Sequence, residues 1–123
     1  MRSKFRIFVV AILVIAANVA VDRYTKALAQ EHLRGQGTVQ VLGDFFILRY
    51  AENGGAFLSL GANIPEPFRF ILLSALPGVA LLVFFIYLIT RPYISTPWLV
   101  GISCVLGGGG SNIFDRLLNN GYV

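Results

Sequence analysis

Three long apolar runs constrain the fold of this 123-residue chain more than any other feature of its sequence. They cover residues 7–21, 68–89 and 98–114, and Arg69 is the only charged side chain within them. About 20 helical residues cross a hydrocarbon core of roughly 30 Å. The second run is long enough by itself, whereas the first and third need their flanks. We therefore predict transmembrane helices at residues 5–28, 67–90 and 97–116.

The composition favours lipid over water as the solvent of most of the surface. Hydrophobic residues make up 56% of the chain and charged residues 13%, whereas about a quarter of a typical soluble domain is charged. The net charge of +4 is compatible with nucleic-acid binding, but the basic residues are spread between apolar runs. An anionic membrane surface explains them better. We expect one membrane domain, residues 1–123, and no nucleic-acid partner.

The first run has two interpretations, a retained helix or a cleaved signal peptide. Asn18 falls where a signal peptidase site needs a small residue, and the helical spacing continues through Asp22 and Lys26. Both features favour a retained helix. Three basic residues and no acid in residues 1–6 predict a cytoplasmic N-terminus.

The segment between the first two runs, residues 35–66, predicts a small extracytoplasmic β-hairpin. Residues 38–42 and 45–52 are prone to form strands, and Gly43-Asp44 is typical of a two-residue turn. The second strand is apolar on both faces, so we expect it to rest on the membrane interface or against the helices. Residues 53–55 predict a further turn with positive φ angles.

Polar side chains gather at the predicted outer ends of the helices. Asn18, Asp22 and Lys26 recur every four residues and share one helix face, where an Asp22–Lys26 ion pair is the simplest interpretation. Buried polar groups at a membrane edge are expensive unless they are paired or functional. The first of these clusters is therefore either a paired helix end or part of a site.

A second cluster follows four consecutive glycines, residues 107–110, and contains Asn112, Asp115 and Arg116. Each glycine in a helix costs roughly 1 kcal/mol relative to alanine, so close packing on another helix, or on a substrate, is expected here. Pro77-Gly78 interrupts the second run. We expect a kink there, which is tolerated because neighbouring groups or local adjustments satisfy the freed backbone groups.

These residue types allow two hydrolytic arrangements. Asp22 and Asp115 would form an aspartic dyad if they met, and Ser59 with Lys26 would form a Ser–Lys pair. His32 stands alone in a polar helix and is expected to be solvated. The sequence contains no metal-ligand spacing and no phosphate-binding loop, so we expect neither a metal nor another cofactor.

Four segments, taken in order, carry a family resemblance. Residues 21–26 contain D-x-x-T-K, residues 52–57 resemble N-x-G-x-A-F with one residue fewer, and residues 110–116 resemble G-N-x-x-D-R with Ser111 inserted. Residues 121–123 match the opening of G-x-V-V-D-F. Together they resemble the motifs of the lipoprotein signal peptidases, or signal peptidase II.

This resemblance implies a polytopic α-helical protein of the bacterial inner membrane, with four transmembrane helices and a small β-cradle. It implies a monomeric, metal-independent aspartic endopeptidase that contacts membrane lipid and removes signal peptides from diacylglyceryl-modified prolipoproteins. It also implies that three residues bind substrate and four support the site. The substrate-binding residues are Asn53, Asn112 and Arg116, and the supporting residues are Asp22, Lys26, Gly55 and Asp115.

The resemblance places both catalytic aspartates beyond Val123, in V-D-F and in a later N-x-A-D on the fourth helix. Residues 1–123 contain neither motif. We therefore expect no catalytic residue in this chain, which we interpret as a truncated, inactive fragment. The alternatives are a non-catalytic protein that binds lipidated peptides or lipids through the same pocket, and a structural membrane subunit.

Overall fold

The computed structural model describes residues 2–55 and 59–123, which form three long helices and one antiparallel hairpin. In chain order the elements are α1 (Arg2–His32), β1 (Thr38–Leu42), β2 (Phe46–Arg49), α2 (Phe68–Phe70), a π-helical turn (Ile71–Ala75), α3 (Leu76–Thr90) and α4 (Thr96–Leu118). The short α2, the π turn and α3 are continuous and form a single long helix, Phe68–Thr90.

Helices α1 and α4 lie side by side and run in the same direction. Arg6 donates to the Thr96 hydroxyl at 2.7 Å near the start of both helices. Lys26 binds Asp115 near their ends. Three successive membrane crossings would place the first and third helices parallel in this way.

The apolar core lies at one end of the bundle. Its four buried side chains come from the beginnings of α1 and α4 and from the end of α3, so α3 runs opposite to the other two helices. These residues are Ile7, Ala11, Leu88 and Leu99. The polar residues of α1 and α4 lie at the other end, where α2 begins.

Two helices of the described residues are long and apolar enough to cross a membrane, Lys4–His32 and Phe68–Thr90. Only 11% of the most apolar window in each is buried inside the protein, so most apolar side chains face outward, as in a lipid environment. Helix α4 has 23 residues, but its glycines and polar residues reduce its hydropathy. Its crossing of the membrane remains a prediction.

Two of the four consecutive glycines explain how α4 packs. A Cβ on Gly107 would lie 2.8 Å from the Asn18 Cβ of α1, and a Cβ on Gly109 would lie 3.2 Å from the Leu81 side chain of α3. Nothing lies within 4 Å of a Cβ built on Gly108 or Gly110. Gly107 and Gly109 therefore let α1 and α3 pack closely against different sides of α4.

A π turn, Ile71–Ala75, lies just before Pro77, where a kink was predicted. Proline has no amide hydrogen, and in a regular helix its ring clashes with the carbonyl four residues earlier. The preceding turn widens, so that the Leu76 amide donates to the Ile71 carbonyl five residues back. The wider turn accommodates Pro77 without ending the helix.

The hairpin prediction is confirmed, but its turn was predicted wrongly. Strand β2 begins at Phe46 and ends at Arg49, and residues 43–45 form a three-residue connection in which Phe45 donates to the Leu42 carbonyl at 3.1 Å. The register shifts between Gln40 and Leu42. β1 contains one extra residue at this point, so that Leu42 pairs with Phe46. The loop between the strands therefore has three residues, one more than the predicted Gly43-Asp44 turn.

The apolar side chains of the hairpin are not covered by the helices. Phe45 is 92% exposed, and Phe46, Ile47 and Leu48 are also exposed. Of the two expected resting places, packing against the helices is therefore wrong for the part of the chain that the structure describes. The membrane interface remains the predicted location.

Gly107→Val should destabilise the bundle, because its side chain would overlap Asn18 and the α1 backbone. We expect a loss of roughly 1–3 kcal/mol in the free energy of unfolding, measured by denaturation in detergent micelles. Gly110→Ala is the control, since open space surrounds that position and alanine favours helix. Equal losses in the two variants would contradict the packing assigned to Gly107.

Candidate functional site

A buried carboxylate, Asp115 on α4, is the centre of the polar end of the bundle. Its side chain is 7% exposed. The Arg23 guanidinium binds both of its oxygens, with Nη1–Oδ1 and Nη2–Oδ2 distances of 2.6 Å. Lys26 Nζ lies 2.5 Å from Oδ2. Two cations of α1 thus hold one carboxylate of α4, and the bidentate geometry fixes their relative orientation.

A second carboxylate, Asp22, binds the same two cations. Its Oδ2 lies 3.0 Å from Arg23 Nη2 and 3.0 Å from Lys26 Nζ. The Ser111 hydroxyl of α4 also donates to it. The predicted Asp22–Lys26 ion pair is therefore confirmed. We call Asp22, Arg23, Lys26 and Asp115 the ion network, and it contains two negative and two positive charges.

Sequence reasoning missed Arg23 and Ser111. Arg23 provides the bidentate contact, and Ser111 accepts a hydrogen bond from it at 2.8 Å. One signal was present in the sequence, because Lys26 alone does not balance two carboxylates. Knowing that Arg23 reaches α4, however, requires the pairing of α1 with α4, which the sequence does not give.

Asn112 joins the ion network through its side chain. Its Oδ1 accepts a hydrogen bond from Lys26 Nζ at 3.0 Å. Lys26 therefore contacts three oxygen-bearing side chains, those of Asp22, Asn112 and Asp115. The structure brings these four residues to one place toward the C-terminal ends of α1 and α4.

Asn53 and Gly55 form a tight turn beside this cluster. Asn53 Oδ1 accepts hydrogen bonds from the Gly55 amide at 3.0 Å and the Ser59 hydroxyl at 3.2 Å. A Cβ on Gly55 would lie 2.1 Å from the Ala62 nitrogen. The expected positive φ angles are wrong, since neither Gly54 nor Gly55 has one. Close approach between backbones requires glycine here.

The turn at Asn53 is tied to the C-terminal residue of the chain. The Asn53 amide donates to the Val123 carbonyl at 2.7 Å, and the Val123 amide donates to the Asn53 carbonyl at 2.8 Å. This backbone pair links the segment after β2 to the segment after α4. Ala56 and Phe57, which complete the motif that begins at Asn53, lie outside the described residues.

A cavity of about 550 Å³ opens between the ion network and the Asn53 turn. Arg23, Lys26, Asn53 and Asp115 are among its lining residues. Tyr50, which also lines it, donates to Glu52 at 2.8 Å. That hydrogen bond to a carboxylate raises the pKa of Tyr50, and it uses the one hydrogen that the phenol can donate.

Arg116 does not line this cavity. It lines a second cavity, of about 430 Å³, between α4 and the start of the helix Phe68–Thr90. The three residues predicted to bind substrate therefore do not share one cavity. Asn53 lines the first cavity, Asn112 binds Lys26 beside it, and Arg116 lies at the second.

Neither hydrolytic arrangement from the sequence forms among the described residues. Asp22 and Asp115 are both neutralised by Arg23 and Lys26, whereas an aspartic dyad keeps one carboxyl protonated because no cation balances the pair. The Ser59 hydroxyl binds Asn53 and not Lys26. Within residues 2–55 and 59–123, no group of three or more His, Cys, Asp or Glu residues could hold a metal ion.

Comparison with known proteins identifies the family. The family model described as signal peptidase (SPase) II matches residues 14–123. The chain belongs to the lipoprotein signal peptidase family. The resemblance recognised in the four sequence motifs is thereby confirmed, and the two candidate spans are those of a membrane-protein family.

Named lipoprotein signal peptidases align over most of the chain. The protein from Francisella tularensis subsp. novicida is 34% identical over 123 residues, covering 100% of this chain and 73% of the relative. The Treponema denticola protein is 34% identical over 113 residues, covering 88% of this chain and 62% of the relative. The Caldanaerobacter subterraneus protein is 32% identical over 113 residues, covering 92% and 73%. No solved structure matches the chain.

Within this signal peptidase II chain, Arg23→Gln should weaken the packing of α1 against α4. Asp115 is buried, and loss of its bidentate partner leaves it with Lys26 alone. We expect a loss of about 2–3 kcal/mol in the free energy of unfolding, below the full cost for a buried pair because Arg23 is partly exposed.

Arg34→Gln is the matched control, because Arg34 pairs with Glu52 at 3.8 Å and both side chains are exposed. Its loss should stay below about 1 kcal/mol. Denaturation of both variants in the same detergent measures the difference, and similar values would contradict the central role given to Arg23.

Proposed function

We propose that this chain forms the substrate-binding part of a bacterial lipoprotein signal peptidase. The enzyme would be an aspartic endopeptidase that removes signal peptides from diacylglyceryl-modified prolipoproteins. The observation that carries the proposal is the cavity between the ion network and the Asn53 turn, in a chain of the signal peptidase II family.

In this proposal Asn53, Asn112 and Arg116 bind substrate. Asn53 uses its side-chain oxygen within its own turn, which leaves the amide NH₂ to donate to a peptide carbonyl. Asn112 accepts from Lys26 through its oxygen, so its NH₂ is likewise left for substrate. Arg116 lines the second cavity, and only a substrate that extends to that side of α4 would reach it.

The supporting residues act by holding the cavity walls together. Asp22, Lys26 and Asp115 join α1 to α4, and Gly55 lets the Asn53 turn pack on the backbone at Ala62. A preorganised wall keeps polar donors at fixed positions, so binding does not have to order them.

We also propose that the N-terminus is cytoplasmic and that the cavity opens on the extracytoplasmic side. The basic residues of the N-terminal tail support this orientation. The exposed Phe45, Phe46 and Ile47 would then enter the lipid headgroup region beside the cavity. A substrate anchored by a diacylglyceryl group would meet the cavity at that depth.

The chemistry of cleavage is proposed to lie outside residues 1–123. Both carboxylates of the ion network are neutralised, so neither is free to activate water. The backbone pair between Asn53 and Val123 holds the latter beside the first cavity, where the family's V-D-F aspartate would follow. The same neutralised network favours the alternative, a non-catalytic protein that binds lipidated peptides.

The 123-residue chain should bind a lipopeptide inhibitor of the globomycin kind without cleaving prolipoprotein. Asn53→Ala and Asn112→Ala should each weaken binding roughly 10-fold, because each removes a hydrogen-bonding group from the pocket. Binding is measured by fluorescence polarisation of a labelled inhibitor in detergent micelles.

Asn63→Ala is the control, since Asn63 is an exposed asparagine outside both cavities. Wild-type affinity in all three variants would refute the proposed pocket. Turnover of prolipoprotein by the purified chain, abolished by Asp115→Asn, would instead revive the Asp22–Asp115 dyad.

A further inference from the structure

Within the described residues, every charged side chain at the end of the bundle where α1 begins is basic. Lys4 and Arg6 lie near the beginning of α1, and Arg91 follows the last residue of α3. The six acidic residues of the sequence lie in the second half of α1, between α1 and α2, or near the end of α4. They are Asp22, Glu31, Asp44, Glu52, Glu66 and Asp115. The two ends of the bundle therefore differ in charge.

Two of these basic side chains converge on one cleft between α1 and α3. The cleft has a volume of about 110 Å³. Its lining residues, which define what we call the basic cleft, are Lys4, Ile7, Phe8, Leu88, Ile89 and Arg91. Like charges that share a small space repel each other, so an anion between Lys4 and Arg91 would be attracted by both.

The third basic side chain at this end has a structural contact instead. Arg6 Nη2 donates to the Thr96 hydroxyl at 2.7 Å, which joins the beginning of α1 to the beginning of α4. Arg6 does not line the basic cleft. The charges that face the cleft are therefore those of Lys4 and Arg91.

Tyr87 orients the guanidinium of Arg91. The guanidinium carbon lies over the Tyr87 ring, 4.5 Å from its centroid. Such a contact uses the flat face of a guanidinium, and the N–H groups at its edge then donate in pairs to phosphate oxygens. An oriented guanidinium on one side of the cleft and the ammonium of Lys4 on the other suit a phosphate group.

The residues around the basic cleft place it at the depth of lipid headgroups. Tyr93 is 80% exposed in the loop after α3, and Trp98 is 70% exposed in the first turn of α4. Exposed Tyr and Trp side chains are typical of the membrane–water interface. Phe8 and Ile89, which are 54% and 49% exposed, extend the cleft onto the apolar surface of the bundle. The cleft therefore has a charged side and an apolar side, as an amphiphile does.

We propose that the basic cleft binds the phosphate of an anionic phospholipid, with an acyl chain lying against Phe8 and Ile89. With the N-terminus in the cytoplasm, the cleft lies in the leaflet whose surface is negatively charged. The bound lipid would join the beginning of α1 to the end of α3. The proposal does not rest on peptidase activity, because the basic cleft and the first cavity lie at opposite ends of the bundle.

Native mass spectrometry of the 123-residue chain in a non-ionic detergent tests the proposal. The ligands are a short-chain phosphatidylglycerol, a phosphatidylcholine with the same chains, and inorganic phosphate. We expect one phosphatidylglycerol per chain, bound at least about 10-fold more tightly than either other ligand. Phosphatidylcholine carries a cation that Lys4 and Arg91 repel, and inorganic phosphate has no chain for the apolar side.

Three variants test the residues of the basic cleft. Lys4→Gln and Arg91→Gln should each weaken phosphatidylglycerol binding roughly 5-fold, and the double variant about 10- to 30-fold. Both side chains are exposed, so these substitutions should leave the fold intact. Arg34→Gln is the matched control. It removes the same charge from an exposed arginine that pairs with Glu52 at the other end of α1, and it should leave lipid binding unchanged.

Equal binding of phosphatidylcholine and phosphatidylglycerol would overturn the proposal, since the cleft would then not select an anionic lipid. Inorganic phosphate binding as tightly as the lipid, with the same losses in the variants, would overturn the lipid assignment in favour of a free anion site. Wild-type binding in the double variant would place the lipid elsewhere, and an equal loss in Arg34→Gln would attribute the effect to net charge alone. Inhibitor binding at the first cavity is measured separately and should be unchanged in these variants, so this proposal and the proposed function can fail independently.

Discussion

The contact between Asp115 and two cations of α1 is the constraint on which the polar end of this protein depends. A buried carboxylate is tolerated only if it is paired and hydrogen-bonded. Arg23 and Lys26 meet that requirement and in doing so set the rotation and depth of α1 against α4. Asn112 and Ser111 are positioned by the same contacts, and one wall of the first cavity follows from them.

Much of the fold could be predicted from residue patterns. The apolar runs predicted three long helices, and the structure has three, the first of which extends to His32. Spacing by four residues identified the Asp22–Lys26 pair. The strand pairing was also predictable, but the three-residue turn was not, because a register shift depends on how two strands meet and not on either strand alone.

The site was harder to predict because its contacts join distant parts of the chain. Arg23 reaches Asp115 across 92 residues of sequence, and the Asn53–Val123 pair uses backbone atoms that no residue type reveals. The reason for glycine at position 55 was also not predictable from the sequence. Its glycine suggested a special φ angle, yet the requirement is space for the backbone at Ala62. Residue type indicated the need for glycine but not its cause.

The alternating glycines of α4 have a consequence for biogenesis. Residues two apart in a helix point to nearly opposite sides, so α4 lies between α1 and α3 with Gly107 against one and Gly109 against the other. It is also synthesised last of the three. Until it inserts, α1 must remain in the bilayer with its charges unmatched by any partner helix. Asp22 would be shared by Arg23 and Lys26 during that interval, which leaves one positive charge in excess until Asp115 of α4 packs against them.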